Sequence, residues 1–532
     1  MKPLVLIILD GWGKAPSGKG NALSQMHTHY IDSLLSTFHH TELKAAGSAV
    51  GLPDGEPGNS ETGHMNLGAG RIVEQDLLRI SSSIKNKSFF ANNEFQSAID
   101  HCQKNNSSMH IMGLLSDTGV HASFHHLGAL AQITHESNLP RVFLHLFTDG
   151  RDSPPQSAIQ TLKNIYKQYP TLEKIPIATV MGRYYAMDRD RRWDRTQKAY
   201  DALTDNAPCE ADSFIDAIQK AYARSESDEF VIPTCIKNTP RITRGDSVIF
   251  YNYRIDRPRQ LTQAFCIPDF EQKYFSDTYS DNFSHISDTD NRAHPFTRKV
   301  VVSNIFFVTM TEYRRDLSCH VAYPPIVIRE NLSKIISDNL LKQLHIAESE
   351  KERFVTYYFN GMTGMKYPGE DDKTVASSNV DTYDQEPEMK ARQITDDVIE
   401  AIDAETYDFI VLNYANPDMV GHSGNIEKTI LGCETVDRET QKLVNHILSK
   451  NGTCIITSDH GHAEEMLNSD GSMLTEHTDN VVPLIVCSNK FKNDPIELPR
   501  GVLADVAPTI LSLFTIQPSK EMTGKNLLSG VL

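Results

Sequence analysis

The sequence predicts an α/β protein with largely parallel sheets, on two observations. Short apolar runs rich in Val, Ile and Phe recur along the 532 residues, and each ends abruptly in Gly, Asp, His or Arg. Segments with helical spacing lie between those runs. Runs of four to eight apolar residues read as strands covered on both faces, and their alternation with helices is the pattern of βαβ units.

The first run, LVLIILDGWG (4–13), is too short to span a membrane and lacks a signal peptide's cleavage region, so it reads as a buried strand. Next come HIMGLLSDTGVH (110–121), RVFLHLFTDGRD (141–152), IATVMGRYYAMDRD (177–190) and DSVIFYNYRIDR (246–257). FIVLNYANPDMVGH (409–422), TCIITSDHGH (453–462) and VPLIVCS (482–488) complete the series. SAIQTLKNIYKQY (157–169) and TVDRETQKLVNHILSK (435–450) read as helices. Two stretches poor in apolar residues, 267–298 and 367–390, read as long surface loops. There is no internal repeat and no coiled coil.

Composition narrows the function. With 39% hydrophobic and 23% charged residues the chain reads as a soluble enzyme, long enough for two or three domains. A formal charge of −17 leaves no basic footprint for nucleic acid or anionic membrane, but a local arginine cluster would still hold a small anionic substrate. None of the eight cysteines forms a C-x-x-C pair, so neither a zinc ribbon nor a redox dithiol is indicated, and a reducing cytoplasm suits them. Cys454 and Cys487 sit inside apolar runs and read as small core residues.

The polar residues that end the runs carry the chemistry, because ligands of open α/β sheets bind beyond the carboxyl ends of strands. Asp10 ends the first run. Asp418 and His422 stand four apart in NPDMVGHSG, on one face if that turn is helical. Asp459 and His460 follow CIITS, and His477 comes later in TEHTDN. Taken singly, each is an ordinary strand-end residue. As a set, carboxylates and imidazoles arriving from separate strands suit a pair of divalent metals. His27, His29, His39, His40, His125 and His126 have no matching carboxylate pattern and are assigned to surface or structure.

Ser60 lies in GEPGNSETGHMN (55–66), where glycines let backbone amides approach an anion. A serine hydroxyl is a weak nucleophile unless a base or metal activates it. The competing reading is an N-cap serine, with Glu61 opening the first helical turn. Loop composition by itself favours the N-cap reading.

Assembled, these stretches resemble the cofactor-independent phosphoglycerate mutases over nearly the whole chain. The matching segments are ILDGWG, GLPDGEPGNSETGHMNLGAGR, LLSDTGVH, TDGRD, GRYYAMDRDRRWDR, YNYRIDRPRQLT, KQLHIAESEK, NYANPDMVGHSGN and SDHGH with EHTDN. The resemblance implies an alkaline-phosphatase-like domain, 1–74 and 310–532, interrupted by an inserted α/β phosphotransferase domain, 78–306, with hinges near 75–78 and 306–310. It implies two manganese ions. Asp10, Ser60, Asp459 and His460 would hold one, and Asp418, His422 and His477 the other. His462 stands where the family usually has Asn, and is a histidine extra to that set.

By the same resemblance His121, Arg151, Asp152, Arg183, Arg189, Arg254 and Arg257 bind the substrate, since arginine's planar fork suits both carboxylate and phosphate. Lys342 is expected to reach in from the phosphatase-like domain. The implied reaction interconverts 3- and 2-phosphoglycerate, as in glycolysis, without 2,3-bisphosphoglycerate. Ser60 would carry the phosphate as phosphoserine, Asp152 would be general base and acid, and Lys342 would stabilise charge. The expected protein is a cytoplasmic monomer acting on a small molecule, with neither nucleic acid nor membrane as partner. A phosphomonoesterase or phosphopentomutase on the same framework is the rival, and should lack the arginine set. An inactive binding protein on an old enzyme scaffold is a second rival, which the complete ligand set opposes.

Overall fold

The structure is a computed structural model that describes residues 3–273 and 294–531. The chain divides into two compact units, Met1–Gln75 with Ile326–Leu532, and Asp76–Pro325. The described strands are β1 (Leu4–Leu9), β2 (His39–Lys44), β3 (Met109–Leu115), β4 (Val142–Thr148), β5 (Ile177–Gly182), β6 (Cys209–Ala211), β7 (Thr234–Ile236) and β8 (Ser247–Phe250). They continue as β9 (Phe306–Thr311), β10 (His320–Tyr323), β11 (Gln343–Glu348), β12 (Glu370–Val375), β13 (Phe409–Tyr414), β14 (Thr453–Thr457), β15 (Val482–Ser488) and β16 (Gly501–Val502).

In the first unit these form one sheet, in the order β12-β11-β13-β1-β14-β15-β2-β16. Strands β12, β11, β13, β1 and β14 run parallel, and only β15 is antiparallel to both neighbours. The run LVLIIL explains the central position of β1. Val5, Ile7 and Leu9 enter the core on one face of the sheet, and Leu4, Leu6 and Ile8 enter the core on the other. Each fully buried aliphatic of this kind contributes about 1.5–3 kcal/mol. Because β1 pairs with β13 and β14 from Leu4 onward in level register, the polar residues that follow all three strands emerge at one edge.

The second unit has its own sheet, β10-β9-β8-β3-β4-β5-β7-β6, parallel except where β7 meets β5. One hydrophobic core runs through it.

Two expectations are corrected. The return crossing falls at 325/326 rather than at 306–310, because β9 pairs with β8 and β10 with β9, which completes the second sheet. The segment 367–390 is not loop throughout, since its EDDKTV is the edge strand β12. An edge strand needs little apolar content, and charge along it discourages pairing with another chain. Of 267–298, residues 274–293 lie outside the described residues. Among the described residues no helix is long and apolar enough to cross a membrane, and all eight cysteines are unpaired.

Candidate active site

The first unit gathers its polar residues beyond four adjacent parallel strands. Read across the sheet, Lys351 follows β11, Asp418 lies in the short helix Asn416–Gly421 after β13, Asp10 follows β1, and Asp459 follows β14. The backbone carries the alignment, for Asp10 N donates to Tyr414 O at 3.1 Å. All three carboxylates are at most 1% exposed.

Ser60 joins them as the first residue of the helix Ser60–Ala69, and it is not the cap. Asn59 caps the helix by accepting from Thr62 N at 2.9 Å. That frees the Ser60 hydroxyl to face the carboxylates. Its Oγ lies 3.4 Å from Asp10 Oδ1, 3.1 Å from His460 Nε2 and 2.8 Å from Lys351 Nζ.

Lys351 takes the place expected of Lys342. Its ammonium also donates to Asp10 Oδ1 at 2.8 Å and Asp418 Oδ2 at 2.7 Å. Lys342 is exposed and precedes β11, with its backbone N bound to Asp408. Six residues of strand, about 20 Å at the usual rise, separate its end of β11 from the carboxyl end where the cluster sits. Both lysines belong to one matched stretch, KQLHIAESEK, and only the direction of the strand tells them apart. Two further residues went unremarked in the sequence. His64, one helical turn after Ser60, places Nδ1 at 2.9 Å from Ser60 O and 3.2 Å from Asp459 Oδ2. Asn413 donates both to His64 Nε2, at 3.0 Å, and to Asp10 Oδ2, at 2.7 Å.

The donors fit divalent cations. Asp418 Oδ1, His422 Nε2 and His477 Nε2 form a nearly equilateral triangle with sides of 3.4, 3.2 and 3.3 Å. About 3.3 Å is the separation of two donors on one tetrahedral ion with bonds of about 2.0–2.1 Å. His422 Nδ1 and His477 Nδ1 bond to the carbonyls of Thr475 and Gly58, at 3.0 and 2.9 Å, which fixes the rings with Nε2 turned inward. His460 is held the same way, Nδ1 against Gly461 O and Nε2 3.4 Å from both Asp10 Oδ1 and Asp459 Oδ2. The structure therefore brings together all seven residues expected to ligate metals, and adds Lys351, His64 and His462 to them.

Electrostatics agree with a cation site. Burial disfavours the charge of Asp418, yet Lys351 and the rings of His422, His462 and His477 outweigh it and hold the carboxyl well below the usual range. Burial likewise opposes protonation of His460, but Asp459, Asp10 and Asp418 raise it to about 9. Burial also works against the Lys351 charge, and the three carboxylates more than restore it. So much buried negative charge asks for positive charge in return.

The second unit places its arginines in the same manner, beyond β4, β5 and β8, with Ser116 and His121 beyond β3. Arg183 is buried and donates to Asp149 Oδ1 at 2.6 Å and to Asp152 Oδ2. Ser116 Oγ donates to the other oxygen of Asp149 at 2.7 Å. Asp256 accepts from Arg189 at 2.8 Å and lies 3.4 Å from Arg254 Nε. His121 stands between Asp152 and Asp256, at 3.8 and 3.7 Å. Arg151 reaches Glu229 at 3.3 Å, and Arg257 reaches the carbonyl of Met187 at 3.2 Å.

Burial, then the like charges of Arg183 and Arg189, push Arg257 below its usual value. A guanidinium under that pressure is relieved by an anion. Burial and Arg183 lower His121 to about 4, so it is neutral at pH 7. Asp149 and Asp256, which position these groups, lie inside the motifs TDGRD and YRIDR, where the sequence gives them no signal apart from the neighbouring arginines.

Two family models match the chain. One, described as the BPG-independent PGAM N-terminus, covers residues 80–315, and the other, type I phosphodiesterase / nucleotide pyrophosphatase, covers 249–481. Proteins named 2,3-bisphosphoglycerate-independent phosphoglycerate mutase, from Chloroflexus aurantiacus and Moorella thermoacetica, are 44% identical over 540 and 531 residues, spanning 99% of this chain and 98% of theirs. One of the same name from Clostridium tetani is 42% identical over 535 residues and 99% of both chains. A crystal structure of Leishmania mexicana phosphoglycerate mutase at low cobalt concentration matches with a TM-score of 0.61 and 27% identity, covering 98% of this chain and 97% of that one.

Proposed function

Because the chain belongs to the 2,3-bisphosphoglycerate-independent phosphoglycerate mutases, we propose that it interconverts 3- and 2-phosphoglycerate by passing the phosphoryl group through Ser60. It is an isomerase, and its family name states independence from 2,3-bisphosphoglycerate. The observation that carries the serine step is the freed hydroxyl of Ser60, buried with Lys351 Nζ 2.8 Å away and His460 Nε2 3.1 Å away.

In the forward half, Ser60 Oγ, its proton released to solvent, attacks the phosphorus of bound phosphoglycerate. The bond from phosphorus to Oγ forms as the bond to the glycerate oxygen breaks, and that oxygen takes up a proton. The arginines of the second unit retain the glycerate by its carboxylate, with fork geometry suited to it. In the return half, the other glycerate hydroxyl loses its proton and takes the phosphoryl group back, the bond from phosphorus to Oγ breaking to leave Ser60 Oγ as it began. Asp152 exchanges these protons. The ammonium of Lys351 offsets negative charge gathering on Oγ and on the transferring group.

Asp10, Ser60, Asp459 and His460 would hold one divalent ion, and Asp418, His422 and His477 a second, manganese being the metal we expect. Bound there, such ions neutralise charge and lower the pKa of an attached hydroxyl. A cytoplasmic location fits eight cysteines, none of them paired.

The test is a quench experiment with phosphate-labelled 3-phosphoglycerate. Label should appear on the wild-type chain and not on Ser60→Ala, which should also lose mutase turnover. Appreciable turnover by Ser60→Ala refutes the serine route. Release of inorganic phosphate in place of 2-phosphoglycerate would favour the phosphomonoesterase reading.

A further inference from the structure

Five histidines, His64, His422, His460, His462 and His477, surround the carboxylates of the first unit, and His462 is turned opposite to the three expected to ligate. His422, His460 and His477 each give Nδ1 to a backbone carbonyl and present Nε2 to a carboxylate. His462 presents Nδ1 to Asp418 Oδ1 at 2.8 Å, and its Nε2 is buried with no hydrogen-bond partner. The distance is also different in kind. The three sides of the Asp418–His422–His477 triangle measure 3.2 to 3.4 Å, the spacing of donors that share an ion, whereas 2.8 Å is the length of an N–H···O hydrogen bond.

The ring is fixed from several sides. Its backbone N donates to Glu464 Oε2 at 2.8 Å. One face lies on Gly421, where an added Cβ would stand 3.1 Å from the ring. Gly421 sits between Asp418 and His422 in sequence, so the ring packs directly against the turn that carries both. Nε2 is buried and unpaired, so the polar contact of this ring with its surroundings is made by Nδ1.

We propose that His462 is a positioning residue that acts from outside the cation site, donating Nδ1–H to Asp418 Oδ1 and holding that oxygen towards His422 and His477. This rests on the reading that those residues hold a divalent ion. Hydrogen bonds to ligating carboxylates fix their orientation, and losing one typically weakens metal affinity by about 10–100-fold. Lys351 grips the other oxygen of Asp418 at 2.7 Å, so the carboxylate is braced at both ends.

The experiment is calorimetric titration of metal-free protein with Mn(II), and visible absorption after loading with Co(II), for the wild type, His462→Phe and His462→Asn. Phe keeps a ring against Gly421 and removes the donor. Asn loses the ring but can place an amide N–H near the Nδ1 position. Affinity at one of the two sites should fall about 10–100-fold in His462→Phe and return to within about threefold of wild type in His462→Asn. The Co(II) spectrum of His462→Asn should match wild type, since no ligand is lost.

Wild-type affinity in His462→Phe would overturn the proposal. So would a Co(II) spectrum in His462→Asn that reports a lost nitrogen ligand, which would make His462 a ligand itself. A wild-type protein that binds no Mn(II) would overturn the metal reading as well, and is thereby distinguished from failure of this proposal alone. Thermal unfolding of the metal-free variants shows that each is folded before titration.

Discussion

The ammonium of Lys351 lies 2.8 Å from the hydroxyl oxygen of Ser60. The same nitrogen bridges Asp10 and Asp418, so one positive charge serves two buried carboxylates and the Ser60 hydroxyl together.

Lys351→Met should lower kcat about 100–1,000-fold, the usual loss when one preorganised charge-stabilising donor is removed. In metal-free protein it should also cost about 3–5 kcal/mol of stability, because two buried carboxylates lose their partner. Steady-state kinetics and chemical denaturation measure the two effects separately. Lys342→Met, on an exposed residue, should change neither. A kcat loss in Lys342→Met would reverse the assignment.

Removing divalent ions should destabilise the first unit and spare the second. The chain has two tryptophans, Trp12 in the first unit and Trp193 in the second. With Trp193→Phe, fluorescence follows the first unit alone. Its unfolding midpoint should drop on chelation and rise again with added Mn(II), by about 2.7 kcal/mol at a hundred times Kd. A midpoint indifferent to chelator would speak against ligands gathered at the strand ends.

Gly63→Ala should disturb the proposed cation site by sterics alone. A Cβ at residue 63 would stand 2.4 Å from Asp459 O and 2.7 Å from Asp459 Cβ, distances that force the helix Ser60–Ala69 and the Asp459 turn apart. Overpacking of this kind costs about 1–3 kcal/mol. Metal affinity and stability should fall together, read by titration and denaturation.

The second unit should lose stability in mild acid. His126 and His145 are fully buried. Burial, then the neighbouring His125, lowers His126 to about 3, and burial holds His145 well below its usual value. Both stay neutral in the folded chain, whereas the unfolded chain takes up protons near pH 6.5. Their contribution is complete above that pH and is lost as the pH falls toward the folded values, on the order of 1.4 kcal/mol per pH unit for each. With Trp12→Phe, denaturant midpoints at pH 7.5 and 5.5 should differ clearly. Equal midpoints would count against the buried neutral histidines.

The arginines should separate by burial. Arg183 is 2% exposed and tied to two carboxylates, so Arg183→Met should cost both activity and about 3–5 kcal/mol. Arg151, Arg189 and Arg254 have half-exposed side chains, and substituting them should raise KM with little change in unfolding midpoint. Circular dichroism melts alongside kinetics would show whether that division holds.

Local pattern alone determined much of this protein. Apolar runs such as LVLIIL must be buried on both faces, so they became central parallel strands, and the residues ending them had to emerge at the carboxyl edge. Asp10, Asp418 and Asp459, and likewise Arg183 and Arg254, were legible for that reason. Only the tertiary structure decided what depends on pairing between distant segments. Lys342 and Lys351 flank the same strand, and it is the direction of β11 in the sheet that gives Ser60 the second and turns the first to solvent. β12 was hidden because an edge strand needs no apolar run, and the 325/326 crossing because β9 and β10 declare their unit only by pairing on β8. The reversed ring of His462 was out of reach for the same reason. A sequence names the donor, and only packing against Gly421 and Asp418 selects which nitrogen faces the carboxylate.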